Sequence, residues 1–320
     1  MVSNWLAELD GRRIVVDVPA TSANLGAGYD CLALALDVTD TIEVEVRSWS
    51  RGAIELEIEG EGANELTEDR ENRFIKALEL ALVRLRGDIP EGVGWRVTMK
   101  NRIPIMRGLG SSAAATVAGI VAANALAAGE LEPDEMLSMA TAIDGHPDNV
   151  GAALLGGFVV SVLIDDRVEA LRFDIPRDLR CVLYVPDLRL ETEAMRRALP
   201  DSVPFADAAA NLGRVALGVA GMAGRRTDLL RFLTVDRLHE PYRAEVYPQL
   251  PRLVEAAREA GALGACLSGS GSSIIAFTDK VATVARIEAA MSAVAADTDL
   301  AGHVMVASPR NAGAKVVGRR

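Results

Sequence analysis

At 320 residues, with 50% hydrophobic and only 4% aromatic side chains, the chain carries enough aliphatic material for a large core and is long enough to divide into two domains. Its net charge of −11 argues against nucleic acid or an anionic membrane as a partner, because both recruit basic patches. The three cysteines, Cys31, Cys181 and Cys266, form no Cys-x-x-Cys pair, and His146, His239 and His303 lack ligand spacing, so neither a disulfide frame nor a zinc site is expected.

The first eight residues contain neither a basic region nor an apolar stretch, so no secretion signal is read there and the cytoplasm is the expected location. Residues 15–20 read as a strand that runs into a turn at 21–32, rich in small and polar side chains. Residues 41–47, 53–58 and 94–99 alternate apolar with polar, the pattern of half-buried strands. Phe74, Ile75, Leu78, Leu82 and Leu85 fall at helical spacing and predict a helix over 72–86. After a glycine-rich segment, residues 113–128 are almost wholly small and apolar and predict a buried helix stopped by Gly129. Asn124 interrupts that run, which falls short of the about 20 apolar residues a membrane span needs.

The second half predicts strands at 158–164 and 180–185 and helices at 205–223 and 250–260. A further glycine-rich loop, Leu267-Ser268-Gly269-Ser270-Gly271-Ser272-Ser273, lies between the apolar stretches 262–266 and 274–277. The arginine pairs Arg225-Arg226 and Arg319-Arg320 read as solvated ends. The paired glycines Gly156-Gly157 permit a bend, and the expected domains are residues 1–156 and 157–320. The elements together predict a mixed α and β architecture.

The most informative segment is Pro104-Ile105-Met106-Arg107-Gly108-Leu109-Gly110-Ser111-Ser112-Ala113-Ala114. Glycines let a backbone approach a ligand closely, and the first turn of the following helix offers free N–H groups, so the segment is suited to holding a polyphosphate. A Walker loop needs a lysine after its glycines, yet Lys76, Lys100, Lys280 and Lys315 all lie elsewhere. Gly108-x-Gly110-x-x-Ala113 fits a loose dinucleotide fingerprint, and Glu130 and Glu132 lie near the required distance, but no hydrophobic strand precedes them.

The same segment resembles the second motif of the GHMP kinases, Pro-x-x-x-Gly-Leu-Gly-Ser-Ser-Ala, at every fixed position. Thr21-Ser22-Ala23-Asn24-Leu25-Gly26-Ala27-Gly28-Tyr29-Asp30 is similar to the family's first motif, with Ala27 and Tyr29 where Pro and Phe are usual. The loop 267–273 is similar to its third, with Ser272 in place of Pro. Three more elements resemble the homoserine kinases within that family: Asp144-Gly145-His146-Pro147-Asp148-Asn149-Val150, Thr192 to Pro200 around Arg196, and Asp236-Arg237-Leu238-His239-Glu240-Pro241-Tyr242-Arg243.

The resemblance implies an α+β fold in two halves with nucleotide and acceptor between them, and transfer of the ATP γ-phosphate to the hydroxyl of L-homoserine in threonine biosynthesis. It implies ATP contacts from Pro104, Arg107, Gly108, Leu109, Gly110, Ser111, Ser112, Ala113, Ala114, Ser268, Gly269, Ser270 and Gly271. Asn72 either borders the adenine or caps its helix. Mg²⁺ would be held by Ser112 and Asp144, the latter where relatives are richer in Glu. Arg196 and Arg243 would bind the substrate carboxylate through planar bidentate forks, and Asp30 the ammonium. Asn24, His146 and Asn149 would orient the remaining polar atoms, and Thr192 would steady the loop or touch substrate. Asn24 and Asn149 would align the hydroxyl, its proton leaving late to phosphate or water, with Asp148 as the rival general base. Another small-molecule GHMP kinase and a non-catalytic relative are the alternative readings, and a homodimer is expected from the resemblance.

Overall fold

The computed structural model describes residues 5, 7–48, 50, 52–89, 92–165 and 167–319. Residues 1–4, 6 and 320, on which the leader reading and part of the last arginine pair rest, lie outside them. Two long strands found the larger sheet. β1 (Arg13–Ala23) and β2 (Leu32–Arg47) pair antiparallel from Arg13 opposite Glu45 to Ala23 opposite Ala33. The register slips between Pro19 and Ala20, where proline has no N–H to give to a ladder. β3 (Ile54–Gly60) is followed by α1 (Arg73–Arg86) and then by β4 (Gly94–Asn101), which lies parallel to β3 and antiparallel to β2.

Three helices follow: α2 (Ser111–Leu126), α3 (Pro133–Asp144) and α4 (Pro147–Leu155). α2 is buried over most of its circumference, which is why its sequence shows no polar face. Small residues let other backbone come close: a Cβ on Gly119 would lie 2.5 Å from the carbonyl oxygen of Phe74 on α1. β5 (Phe158–Ile164) pairs with the start of β2, and β6 (Arg167–Phe173) with β5. The paired glycines stand between α4 and β5, so strands on both sides of that bend share one sheet.

The rest of the chain builds the smaller sheet and its cover. In order come β7 (Arg180–Pro186), α5 (Thr192–Arg197), α6 (Phe205–Ala223), α7 (Leu230–Leu233), α8 (Glu240–Val246), α9 (Leu250–Glu259), β8 (Gly264–Leu267), β9 (Ile274–Thr278), α10 (Val281–Asp297), β10 (Gly302–Ala307) and β11 (Lys315–Arg319). Strand order is β10-β7-β9-β8 in this four-stranded antiparallel sheet. β11 leaves it to pair with β1, completing a seven-stranded sheet ordered β11-β1-β2-β4-β3 with β5 and β6 branching from β2.

The helices predicted at 72–86 and 205–223 and the strands predicted at 158–164 and 180–185 are α1, α6, β5 and β7, each matched to within a residue. The helix expected from residue 113 starts earlier, at Ser111, because Gly110 takes the left-handed conformation that turns the chain into it. Among the described residues no helix is long and apolar enough to cross a membrane.

Candidate active site

Three turns meet over the end of α2. The turn between β1 and β2 is tightly wound, with Asn24, Leu25, Gly26 and Asp30 all at positive φ. The loop before α2 has Gly108 and Gly110 at φ +70 and +71. A Cβ on Gly108 would stand 2.0 Å from the carbonyl oxygen of Ser268, and one on Gly110 would stand 1.9 Å from Oγ1 of Thr21, so neither position has room for a side chain. Backbone bonds tie the three together: Thr21 N–H donates to Leu109, Ser273 N–H to Arg107 and Gly269 N–H to Ala23. The Ser268 hydroxyl, fully buried, lies 2.7 Å from the Gly108 carbonyl oxygen and 2.8 Å from the Ser22 hydroxyl.

These turns wall a cleft of about 290 Å³. Its lining includes Pro104, Arg107, Gly108, Leu109, Gly110, Ser111, Ser112 and Ala113, together with Arg73, Asp144, His146, Asp148 and Asn149. It also includes Asn24, Asp30, Thr192, Arg196, Arg243, Gly269 and Ser270. Gly110 caps α2 without a side-chain hydrogen bond to its first turn, so that turn keeps donors for an anion.

Several of these lining residues are charged and packed together. Arg196 grips Asp30 through two hydrogen bonds of 2.7 and 2.9 Å and also donates to the Tyr29 hydroxyl at 2.8 Å. Arg243 is 1% exposed and, among the described residues, has no carboxylate partner; its guanidinium donates to the carbonyls of Gly269 at 3.1 Å and Met195 at 3.4 Å. Burial pulls its pKa below the usual arginine range. Both guanidinium carbons lie over the Tyr29 ring, at 5.6 Å for Arg196 and 5.5 Å for Arg243.

Asp144 meets Arg73 at 2.9 Å and accepts from the Thr116 hydroxyl at 3.3 Å, while its burial raises its pKa. Asp148 is 3% exposed, and burial pushes it up to about 6. Its Oδ1 accepts the Asn149 N–H at 2.6 Å and lies 3.8 Å from Nδ1 of His146, a buried nitrogen without a hydrogen-bond partner among the described residues. Asn149 accepts the Thr21 hydroxyl at 2.7 Å, and Asn24 donates to the Gly269 carbonyl at 2.8 Å while accepting the Asp30 N–H at 3.0 Å. Thr192 and Ser270 hydroxyls lie 3.1 Å apart across the mouth.

Most of the residues singled out from the sequence therefore share one cleft, but Asn72, Ala114, Ser268 and Gly271 are absent from its lining. Asn72 caps α1 by accepting the Phe74 N–H and donates to the Thr67 carbonyl, and Ala114 is buried inside α2. Sequence reasoning passed over Arg73 as a lining residue, Tyr29 as the platform under both arginines, and His239, which touches Arg243. His239 stands four residues before Arg243, a helical i, i+4 spacing that could have singled it out.

Among the described residues no three His, Cys, Asp or Glu side chains are grouped to hold a metal ion by themselves. Ser112 and Asp144, both of which line the cleft, offer hard oxygen donors of the type that suits a Mg²⁺ site of another kind, in which phosphate oxygens and water complete the shell.

The model of the family of GHMP kinases N terminal domains matches residues 72–157, and that of the GHMP kinases C terminal family matches residues 215–297. The chain is 42% identical to the homoserine kinase of Caldicellulosiruptor saccharolyticus over 83% of its own length and 84% of that protein's. It is 39% identical to the homoserine kinase of Moorella thermoacetica over 95% and 99% of the two chains. The crystal structure of homoserine kinase from Cytophaga hutchinsonii superposes with a TM-score of 0.84 at 30% identity, covering 95% of this chain and 97% of that one.

Proposed function

The chain belongs to the GHMP kinase family, and on that premise we propose that it phosphorylates the side-chain hydroxyl of L-homoserine with ATP, giving O-phospho-L-homoserine and ADP. The acceptor oxygen attacks the γ-phosphorus, the bond from that phosphorus to the bridging β-phosphate oxygen breaks, and the hydroxyl proton leaves late to phosphate or water. Such transfer asks the protein for positioning and charge neutralisation rather than covalent chemistry. N–H groups of the loop 104–112 and of the first turn of α2 receive the phosphates. Ser112 and Asp144 would hold Mg²⁺, which when bound would neutralise further phosphate charge. Asn24 and Asn149 orient the acceptor hydroxyl.

The observation that carries the reading is Arg243: a guanidinium buried against a cleft without a carboxylate partner among the described residues. A buried unpaired cation is costly, and the carboxylate of an amino acid would offset that cost with charge-assisted bonds. Arg196 and Asp30 stand beside it as a cation for the same carboxylate and an anion for the ammonium, so a zwitterion can replace their mutual ion pair. The experiment is Arg243→Ala. Loss of a hydrogen-bonded charge contact, about 1.5–3 kcal/mol, should raise the KM for L-homoserine by about tenfold to a hundredfold while that for ATP changes little. A larger effect on ATP than on the amino acid would sink the assignment. ADP release should occur with L-homoserine and not with L-serine, L-threonine, mevalonate or galactose.

A further inference from the structure

The helix that bears Arg243 carries a second buried polar side chain one turn earlier. His239 caps α8 and is 0% exposed. Its Nε2 lies 2.7 Å from the carbonyl oxygen of Gly26, and its Nδ1 lies 3.1 Å from Nη1 of Arg243. A carbonyl can only accept and a guanidinium can only donate, so these partners fix one tautomer: Nε2 carries the proton and Nδ1 the lone pair. Burial lowers the His239 pKa to about 4, which keeps the ring neutral beside the arginine charge. The start of the helix is itself pinned, since the Asp236 carboxylate accepts the N–H groups of Leu238, His239 and Glu240 and the side-chain amide of Asn211.

The line continues past Arg243. The same Nη1 donates to the Gly269 carbonyl, which also accepts from Asn24. One hydrogen-bonded chain thus runs from the first turn at Gly26, through His239 and Arg243, to the third loop at Gly269. The Tyr29 ring packs against it, its centroid 5.2 Å from that of the imidazole. A histidine kept only for packing would not need both nitrogens spent, one on the first glycine turn at Gly26 and the other on Arg243.

We propose that His239 is a positioning residue for the acceptor: by presenting a neutral acceptor at Nδ1 it aims the Arg243 guanidinium into the cleft and couples seating of the amino-acid carboxylate to the loop at Gly269. The proposal rests on the assignment of Arg243 to that carboxylate. It is tested by steady-state kinetics on His239→Leu, Arg243→Ala and the double variant, with thermal unfolding of each. His239→Leu should raise the KM for L-homoserine by about tenfold, leave that for ATP little changed, and add nothing once Arg243 is gone. An unchanged KM for L-homoserine in His239→Leu, or a full additional effect in the double variant, would overturn it.

Should His239→Leu fail to fold, two polar variants decide. Asn places an amide oxygen near the position of Nδ1, whereas Gln places its amide end near Nε2 and leaves Arg243 without its acceptor. His239→Asn should therefore keep the KM for L-homoserine near that of the parent while His239→Gln raises it; equal impairment, or the reverse order, would overturn the proposal. If Arg243→Ala by itself left that KM unchanged, the assignment of Arg243 and the role of His239 would fall together, an outcome distinct from the other failures because it needs no His239 variant.

Discussion

At the scale of single residues, two carboxylates that line the cleft are burdened differently. Asp144 faces Arg73 and Thr116 and is proposed as the Mg²⁺ ligand. Asp144→Asn should raise the Mg²⁺ concentration for half-maximal activity by about tenfold while leaving the KM for L-homoserine alone; an unchanged metal titration would remove that role. Asp148 has a pKa pushed up to about 6 by burial, so it is mostly ionised at pH 7 and chemically able to take a proton. The alignment proposed for Asn24 and Asn149 leaves it no such task. Asp148→Asn should keep kcat within about tenfold, since a general base contributes about 10²–10⁴-fold; a larger loss, joined with disappearance of an acid limb near pH 6, would hand proton abstraction to Asp148.

At the scale of elements, the glycine turns are shaped by collision as much as by φ. Gly108→Ala would drive a methyl group into the Ser268 carbonyl, built at 2.0 Å, from a backbone already at φ +70. The variant should lose nucleotide affinity, read by calorimetry, and about 1–3 kcal/mol of stability, read by urea unfolding. On α8, Glu240 turns its carboxyl inward to accept the Leu267 N–H at 2.7 Å, and burial raises its pKa from 4.5 to about 8. The folded state therefore binds this proton more tightly than the unfolded chain: its contribution is complete below pH 4.5 and is lost as pH rises through 8. Glu240→Gln keeps an acceptor without the ionisation, so its melting temperature should gain on that of the parent between about pH 5 and 8 and level off above. A constant difference across that range would contradict the burial argument.

At the scale of the whole molecule, the C-terminal segment holds the larger sheet closed. After β10, Arg310 pairs with Asp17 at 2.7 Å, Gly157 and Ala314 donate to the Arg310 and Ala153 carbonyls, and β11 covers the edge of β1. A chain ended after Ala307 should lose roughly 2–5 kcal/mol of stability, from several backbone bonds at about 0.5–1.5 kcal/mol each, seen as a lower urea midpoint. An unchanged midpoint would show that this segment is ornamental to the fold. The amino-acid sequence by itself determined the strongly periodic elements, such as α1 and α6, and the glycine turns with their flanking residues, because helical spacing and backbone clashes are local properties written in adjacent residues. It also brought the GHMP resemblance, which pointed to Arg196, Arg243 and Asp30 before any geometry was known. Only the tertiary structure decided that Arg196 and Asp30 pair with each other, that Asn72 and Ser268 brace rather than line the cleft, that His239 stands between Gly26 and Arg243, and that β11 crosses to the first sheet. Those are contacts between residues far apart in the chain, and their free energy depends on distances and burial that no run of neighbouring residues encodes.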